Sequence, residues 1–276
     1  MLRLSPIWSA RLTLLMILVF AAMPVLAQDS TPVPTAEAEV TESAFSLMAA
    51  SLPISAFLVD LEMGRLEDGG YYLGDINAPI TIVEFADWAC PHCQNYRADV
   101  HTLLEEFVVP GLARFEFRMF PTAGGRLSVV TALIAECTGE LIQDIDGNPI
   151  GYWLASDLLY ELAISGRYFG DDLLPLFTRF MEIDEAALIE CANGLEQPQV
   201  LIDIQFGVDS GITGTPALMV RYAGQNDGAA SFITWEGRTY SSGTPPYEVV
   251  ASVILEANRA AAEATAEATA EATESP

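Results

Sequence analysis

Cys90-Pro91-His92-Cys93 sets two thiols two residues apart, a spacing that closes into a small disulfide ring. The tetrapeptide follows an apolar run, Ile80 to Phe85, that predicts a strand. It opens a predicted helix with Val100, Leu103, Leu104 and Phe107 on one face. Unsatisfied N–H groups and the helix dipole stabilise a thiolate at such a start. Cys90 is therefore the expected nucleophile, and Cys93, one turn further in and more buried, the resolving thiol. Pro91 stiffens the turn and removes a donor, while His92 can set positive charge beside the Cys90 sulfur. A stabilised thiolate favours the reduced pair and makes its disulfide more oxidising. Such a pair exchanges disulfides with other proteins and needs no metal or organic cofactor, because the electrons travel in the Cys90–Cys93 disulfide itself. A zinc site would ask for a second close pair or spaced histidines; His92 sits inside the pair and His101 stands alone, as a surface residue.

Glu84 is the only charge in Ile80–Phe85. On an edge strand it would face water; inside a sheet its pKa would rise, and it could exchange a proton as a mixed disulfide resolves. Gly214-Thr215-Pro216 is a tight turn feeding the apolar Ala217 to Val220. A cis Thr215–Pro216 bond has a natural place there, leaving the Thr215 backbone to pair with an extended substrate; a trans proline at a strand start is the other reading. Trp88 is expected to border the substrate groove, Trp153 and Trp235 to pack. Cys137 and Cys191 lack a close partner or a basic neighbour. A structural disulfide between two helices is the expectation, with a second redox relay or two free buried thiols as alternatives.

The elements that must position these groups read, in order, as strand, the CxxC helix, the alternating strand Arg114–Phe120, a helical stretch over about 127–205, the short strand after Gly214-Thr215-Pro216, a further strand around Phe232–Trp235 and a last helix from about Pro246 to Asn258. The alternation of apolar and charged residues in Arg114–Phe120 predicts a half-buried strand. Residues 1–27 read as a signal peptide, with Arg3 and Arg11 before the apolar Leu12–Phe20 and small residues up to Ala27. Left uncleaved, it would tether the protein to a membrane; Gln28, where a lipid anchor needs cysteine, speaks against lipidation. Residues 28–42 read as a disordered acidic Pro/Thr linker, 43–73 as an N-terminal extension, 74–258 as the domain, and 259–276 as a low-complexity Ala/Glu/Thr tail whose composition favours extending the last helix before it frays. Four cysteines in an exported chain point to an oxidising compartment. The net charge of −26, with arginine and no lysine, excludes nucleic acid and anionic membrane surfaces as partners.

Gly74 to Cys93, with Gly214-Thr215-Pro216 far downstream, resembles the DsbA-like branch of thioredoxin-fold proteins. Tyr152-Trp153 followed by Asp157-Leu158-Leu159 is similar to that family's aromatic and Asp-Leu-Leu pattern. The resemblance covers about residues 70 to 258, with extra residues near 141–149 and a Gly-rich loop at 223–230. It implies an α/β thioredoxin-like fold with an inserted α-helical subdomain, and a cis-proline opposite the thiols. It also implies that Glu84 relays protons for the inner cysteine. The expected activity is disulfide donation to exported cysteine-containing proteins, with an unidentified membrane redox partner and a monomeric enzyme. Disulfide reduction or isomerisation by the same fold is the near alternative, and a non-enzymatic binding module the distant one.

Overall fold

The computed structural model describes residues 58, 61–223 and 229–274. The expectations for the signal, the linker, most of the extension and the centre of the Gly-rich loop lie outside these residues. Among them, no helix is long and apolar enough to cross a membrane.

Six strands form one mixed sheet: β1 (Met63–Arg65), β2 (Tyr71–Leu73), β3 (Ile80–Ala86), β4 (Arg114–Met119), β5 (Ala217–Tyr222) and β6 (Ser231–Phe232), in the order β1-β2-β4-β3-β5-β6. Strand β3 runs parallel to β4 and antiparallel to β5. The crossover from β3 to β4 is α1 (Pro91–Leu103), continued by a π-helical turn at Leu104–Val108. All seven residues of β3 are buried, as a central strand covered on both faces requires. Its alternation puts Ile80, Ile82 and Ala86 in the main core and Val83 and Phe85 in a smaller cluster with Ile212, Ala217 and Met219. By the same period Glu84 faces the main core.

Between β4 and β5 lies the helical insertion: α2 (Arg126–Leu141), α3 (Ile150–Ile164), α4 (Leu173–Met181), α5 (Glu185–Gly194) and α6 (Gln199–Asp209). A disulfide joins Cys137 on α2 to Cys191 on α5, 54 residues apart. Closing a loop that long restricts the unfolded chain by about 4 kcal/mol on the chain-entropy model. Strands β7 (Thr234–Trp235) and β8 (Arg238–Thr239) form a separate hairpin, so the strand expected around Phe232–Trp235 is divided between two sheets.

The fold departs from the sequence reading in two further places. The sheet begins before residue 74: Met63, Tyr71 and Leu73 are core residues of β1 and β2, strands of three residues each, too short to show a period. Strand β4 is not half-exposed, since Glu116 and Arg118 are fully buried. Helix α6 covers that face, and the charges neutralise one another. Arg118 bonds Glu116 at 2.7 Å, Asp203 of α6 at 3.0 Å and Asp68 at 2.7 Å, while Arg221 bonds Glu116 at 3.0 Å. The last helix, α7 (Tyr247–Glu274), continues past Asn258 into the Ala/Glu/Thr tail, the extension that its high intrinsic helix propensity favours even without an apolar face.

Candidate active site

Cys90 caps the N-terminus of α1 in extended conformation (φ −77°, ψ 120°), with Pro91 in the first turn, where proline costs no hydrogen bond. Both active-site thiols are free. The Cys90 thiol donates to the carbonyl of Thr215 at 3.4 Å, across a Thr215–Pro216 peptide bond that is cis. Burial alone would raise the Cys90 pKa. Hydrogen bonds from the Cys93 backbone N–H, the Thr215 hydroxyl, the His92 backbone N–H and the Cys93 thiol outweigh it, and the thiol lies below its ordinary value. His92 thus reaches Cys90 through its main chain, while its exposed side chain lines an open groove of about 460 Å³ with Asn95, Tyr96, Asp99, Thr215 and Pro216.

Cys93 is buried, with the Asp87 N–H directed at its sulfur at 3.5 Å. Burial and the nearby Glu84 carboxyl push its pKa well up. Glu84 lies on the central strand rather than an edge, 2% exposed, and burial pushes its pKa up to about 8. It borders a small chamber of about 20 Å³ shared with Arg97, His101, Trp153, Asp157 and Tyr160. Arg97 forms ion pairs there with Asp157 and with Glu161. The site therefore holds an outer thiol tuned toward the thiolate and an inner one held protonated. A carboxyl that titrates near neutral pH lies close to the inner thiol.

Two expectations are corrected. Trp88 does not border the groove: it is fully buried, stacked on Phe117 and donating from Nε1 to Ser156 Oγ at 2.8 Å. Its indole is large enough to fill the space between sheet and insertion, and α3 supplies the hydroxyl its N–H needs. His101 is not a plain surface residue; it is half-buried, with Nε2 enclosed at the Glu84 chamber, because α3 packs over that part of α1.

The sequence reading missed Asp87. This fully buried carboxylate accepts from the N–H groups of Ala89 (3.0 Å), Thr122 (2.7 Å) and Gly124 (3.1 Å) and from Ser128 Oγ (2.7 Å). Thr122 Oγ1 in turn lies 2.7 Å from Thr215 Oγ1. Asp87 ties the CxxC loop to the loop after β4, and through Thr122 to the cis-proline turn. An acid directly after an apolar strand reads as an ordinary turn former, and no spacing links residues 87, 122 and 215.

Residues 67–145 match the family model described as Thioredoxin. Over 92 residues the chain is 35% identical to disulfide bond formation protein D of Bacillus subtilis, covering 32% of this chain and 37% of that protein. Over 173 residues it is 29% identical to Na(+)/H(+) antiporter NhaA 1 of Salinispora arenicola, covering 62% of this chain and 24% of the antiporter. The match thus spans well under half the length of either curated relative. Among solved structures, alpha-DsbA1 of Wolbachia pipientis superposes with a TM-score of 0.58 at 19% identity, covering 73% of this chain and 96% of that one. Oxidised BdbD from Bacillus subtilis gives 0.53 at 21% identity, with 72% and 99% covered. Fold and site define a thioredoxin-fold protein with a CxxC pair facing a cis-proline. The helical insertion narrows the likeness further: the fold is similar to that of the DsbA structures.

Proposed function

We propose that this chain is an extracytoplasmic thiol-disulfide oxidoreductase that oxidises cysteine pairs in exported proteins. The observation that carries the reading is the placement of Cys90. Its sulfur sits at the α1 N-terminus against the cis Thr215–Pro216 turn, beside an open groove, with Cys93 buried behind it.

In the oxidised enzyme a substrate thiolate attacks Cys90 Sγ, the Cys90–Cys93 bond breaks, and Cys93 leaves as a thiolate. The substrate's second thiolate then attacks its own sulfur in the mixed disulfide. The substrate leaves as a disulfide and Cys90 as the stabilised thiolate, so two electrons now rest in the enzyme's dithiol. Cys93 retains a proton at neutral pH, and Glu84, shielded from water and able to titrate there, is the group placed to deliver it; in the reverse direction it would accept one. Thr215 offers backbone to an extended substrate segment. A membrane redox partner would then withdraw the two electrons and restore the disulfide.

The full-length protein carrying Cys93→Ser should accumulate mixed disulfides through Cys90 when expressed for export, and Cys90→Ser should accumulate none. Failure to trap any exported protein through Cys90 would overturn the enzymatic reading. The direction of transfer is read from the reduction potential of the Cys90–Cys93 pair against glutathione. A value of about −120 to −180 mV supports disulfide donation, and one near about −270 mV a reductase.

A further inference from the structure

The reading above rests on an activated Cys90, and the structure bears on how that activation is built. When Cys90 ionises it loses the proton it donates to the Thr215 carbonyl, so the thiolate is left to the donors around it: the Cys93 and His92 N–H groups, the Cys93 thiol and the Thr215 hydroxyl. Thr215 lies against Cys90 through its carbonyl, 3.4 Å from the sulfur, and its hydroxyl lowers the pKa of both active-site thiols as a donor would, but a hydroxyl has one proton and its direction must be set. The neighbour that can set it is Thr122, whose Oγ1 lies 2.7 Å from Thr215 Oγ1.

Two proton orders are possible for this pair, and Asp87 discriminates between them. If Thr122 donated to Asp87, its oxygen would draw the Thr215 proton away from the sulfur. Asp87 has little use for that proton. A carboxylate offers about four lone-pair sites. On Asp87, Oδ1 is met by Ala89 N–H and Ser128 Oγ, and Oδ2 by the N–H groups of Thr122 and Gly124. The Thr122 hydroxyl is a distant fifth at 3.4 Å, against 2.7 Å to Thr215. The Thr122 proton therefore goes to Thr215 Oγ1, and the Thr215 proton is left to face the thiols.

We propose that Thr122 is a positioning residue of the redox site, ordering the Thr215 hydroxyl so that its proton points at the Cys90 thiolate. Asp87 fixes the Thr122 main chain, Thr122 orients Thr215, and Thr215 donates to sulfur. The titratable and charged groups in the elements around Cys90 are His92, Cys93, Tyr96, Arg97 and Asp99 on α1, Glu84 on β3 and Asp87 in the loop that follows. None of them is altered by substituting Thr122, which does not itself titrate. Because Thr122 is exposed and Thr215 half-buried, water competes with this ordering and the effect is modest.

The test is the Cys90 titration in the reduced full chain, followed by thiolate absorbance near 240 nm, which needs neither a substrate nor a redox partner. Thr122→Val keeps the shape and removes the hydroxyl. It should lower the thiolate fraction on the rising limb about three- to tenfold, the usual worth of one hydrogen bond. Thr122→Ser should titrate as the parent does. In a Thr215→Val background, Thr122→Val should have no further effect. An unchanged titration in Thr122→Val overturns the proposal. So does a shift that Thr122→Ser fails to rescue, or one that persists in the Thr215→Val background. A parent protein whose Cys90 titrates like a free thiol, near about 8.5, would instead overturn the activated-thiol reading itself.

Discussion

Strands β3 and β4 each bury a glutamate, one residue out of step, since Val83 pairs with Glu116 and Glu84 with Phe117. That single step puts them on opposite faces of the sheet. On the α6 face Glu116 meets two guanidinium groups, Arg118 and Arg221. On the α1 face Glu84 has no hydrogen bond or ion pair among the described residues, and burial pushes its pKa up to about 8. Burial is nearly the same for both; what faces them is not. A buried carboxylate matched by cations fastens elements together, whereas an unmatched one is kept neutral and becomes a proton store.

Removing the cations from the matched side should have the largest effect. Arg118→Met leaves Glu116 and Asp203 facing each other's side of the sheet without their shared guanidinium. The loss should lie at or beyond the upper end of the roughly 3–5 kcal/mol typical of broken buried pairs, measured by urea unfolding. A variant as stable as the parent would show the network to be dispensable. On the unmatched side, Glu84 binds its proton more tightly folded than unfolded, with a pKa of about 8 against an ordinary 4.5. The folded state therefore holds a proton that the unfolded chain has lost between those values. Stability falls as pH rises through that window and levels off above it, by roughly 5 kcal/mol in all for this group. Glu84→Gln should flatten that part of the stability–pH curve between pH 5 and 8; an unchanged slope would mean that Glu84 ionises freely. The smallest effect is expected at the rim of the matched cluster. Asp68 also bonds Arg118 but is nearly half exposed, so Asp68→Asn should cost under about 1 kcal/mol, and a much larger loss would place Asp68 inside the network.

The comparison also shows where sequence reasoning reached and where it stopped. Cys90, Cys93 and the Gly-Thr-Pro turn were legible because chemistry and spacing are local or sharply patterned. The central strand was legible as an unbroken apolar run. The alternating Arg114–Phe120 misled, because a period of two says which residues share a face but not what covers it; α6 arrives from some 80 residues downstream. Trp88 misled for a related reason, since a tryptophan beside a reactive motif reads as groove lining until the insertion is seen to close over it. Asp87 and Thr122 were invisible because their partners come from three separate loops. Strands β1 and β2 were too short to announce themselves, and the reach of α7 to Glu274 depended on propensity alone.

The Asp87 carboxylate has a dynamic consequence. It holds the amides of Ala89, Thr122 and Gly124, which lie in the loops after β3 and after β4. Loops usually open independently and at low cost. Asp87 itself belongs to the loop after β3, so that loop cannot swing out without releasing the Thr122 and Gly124 protons of the other loop to solvent. In deuterated buffer the Thr122 and Gly124 amides should exchange as a single cooperative unit whose rate follows the opening of either loop.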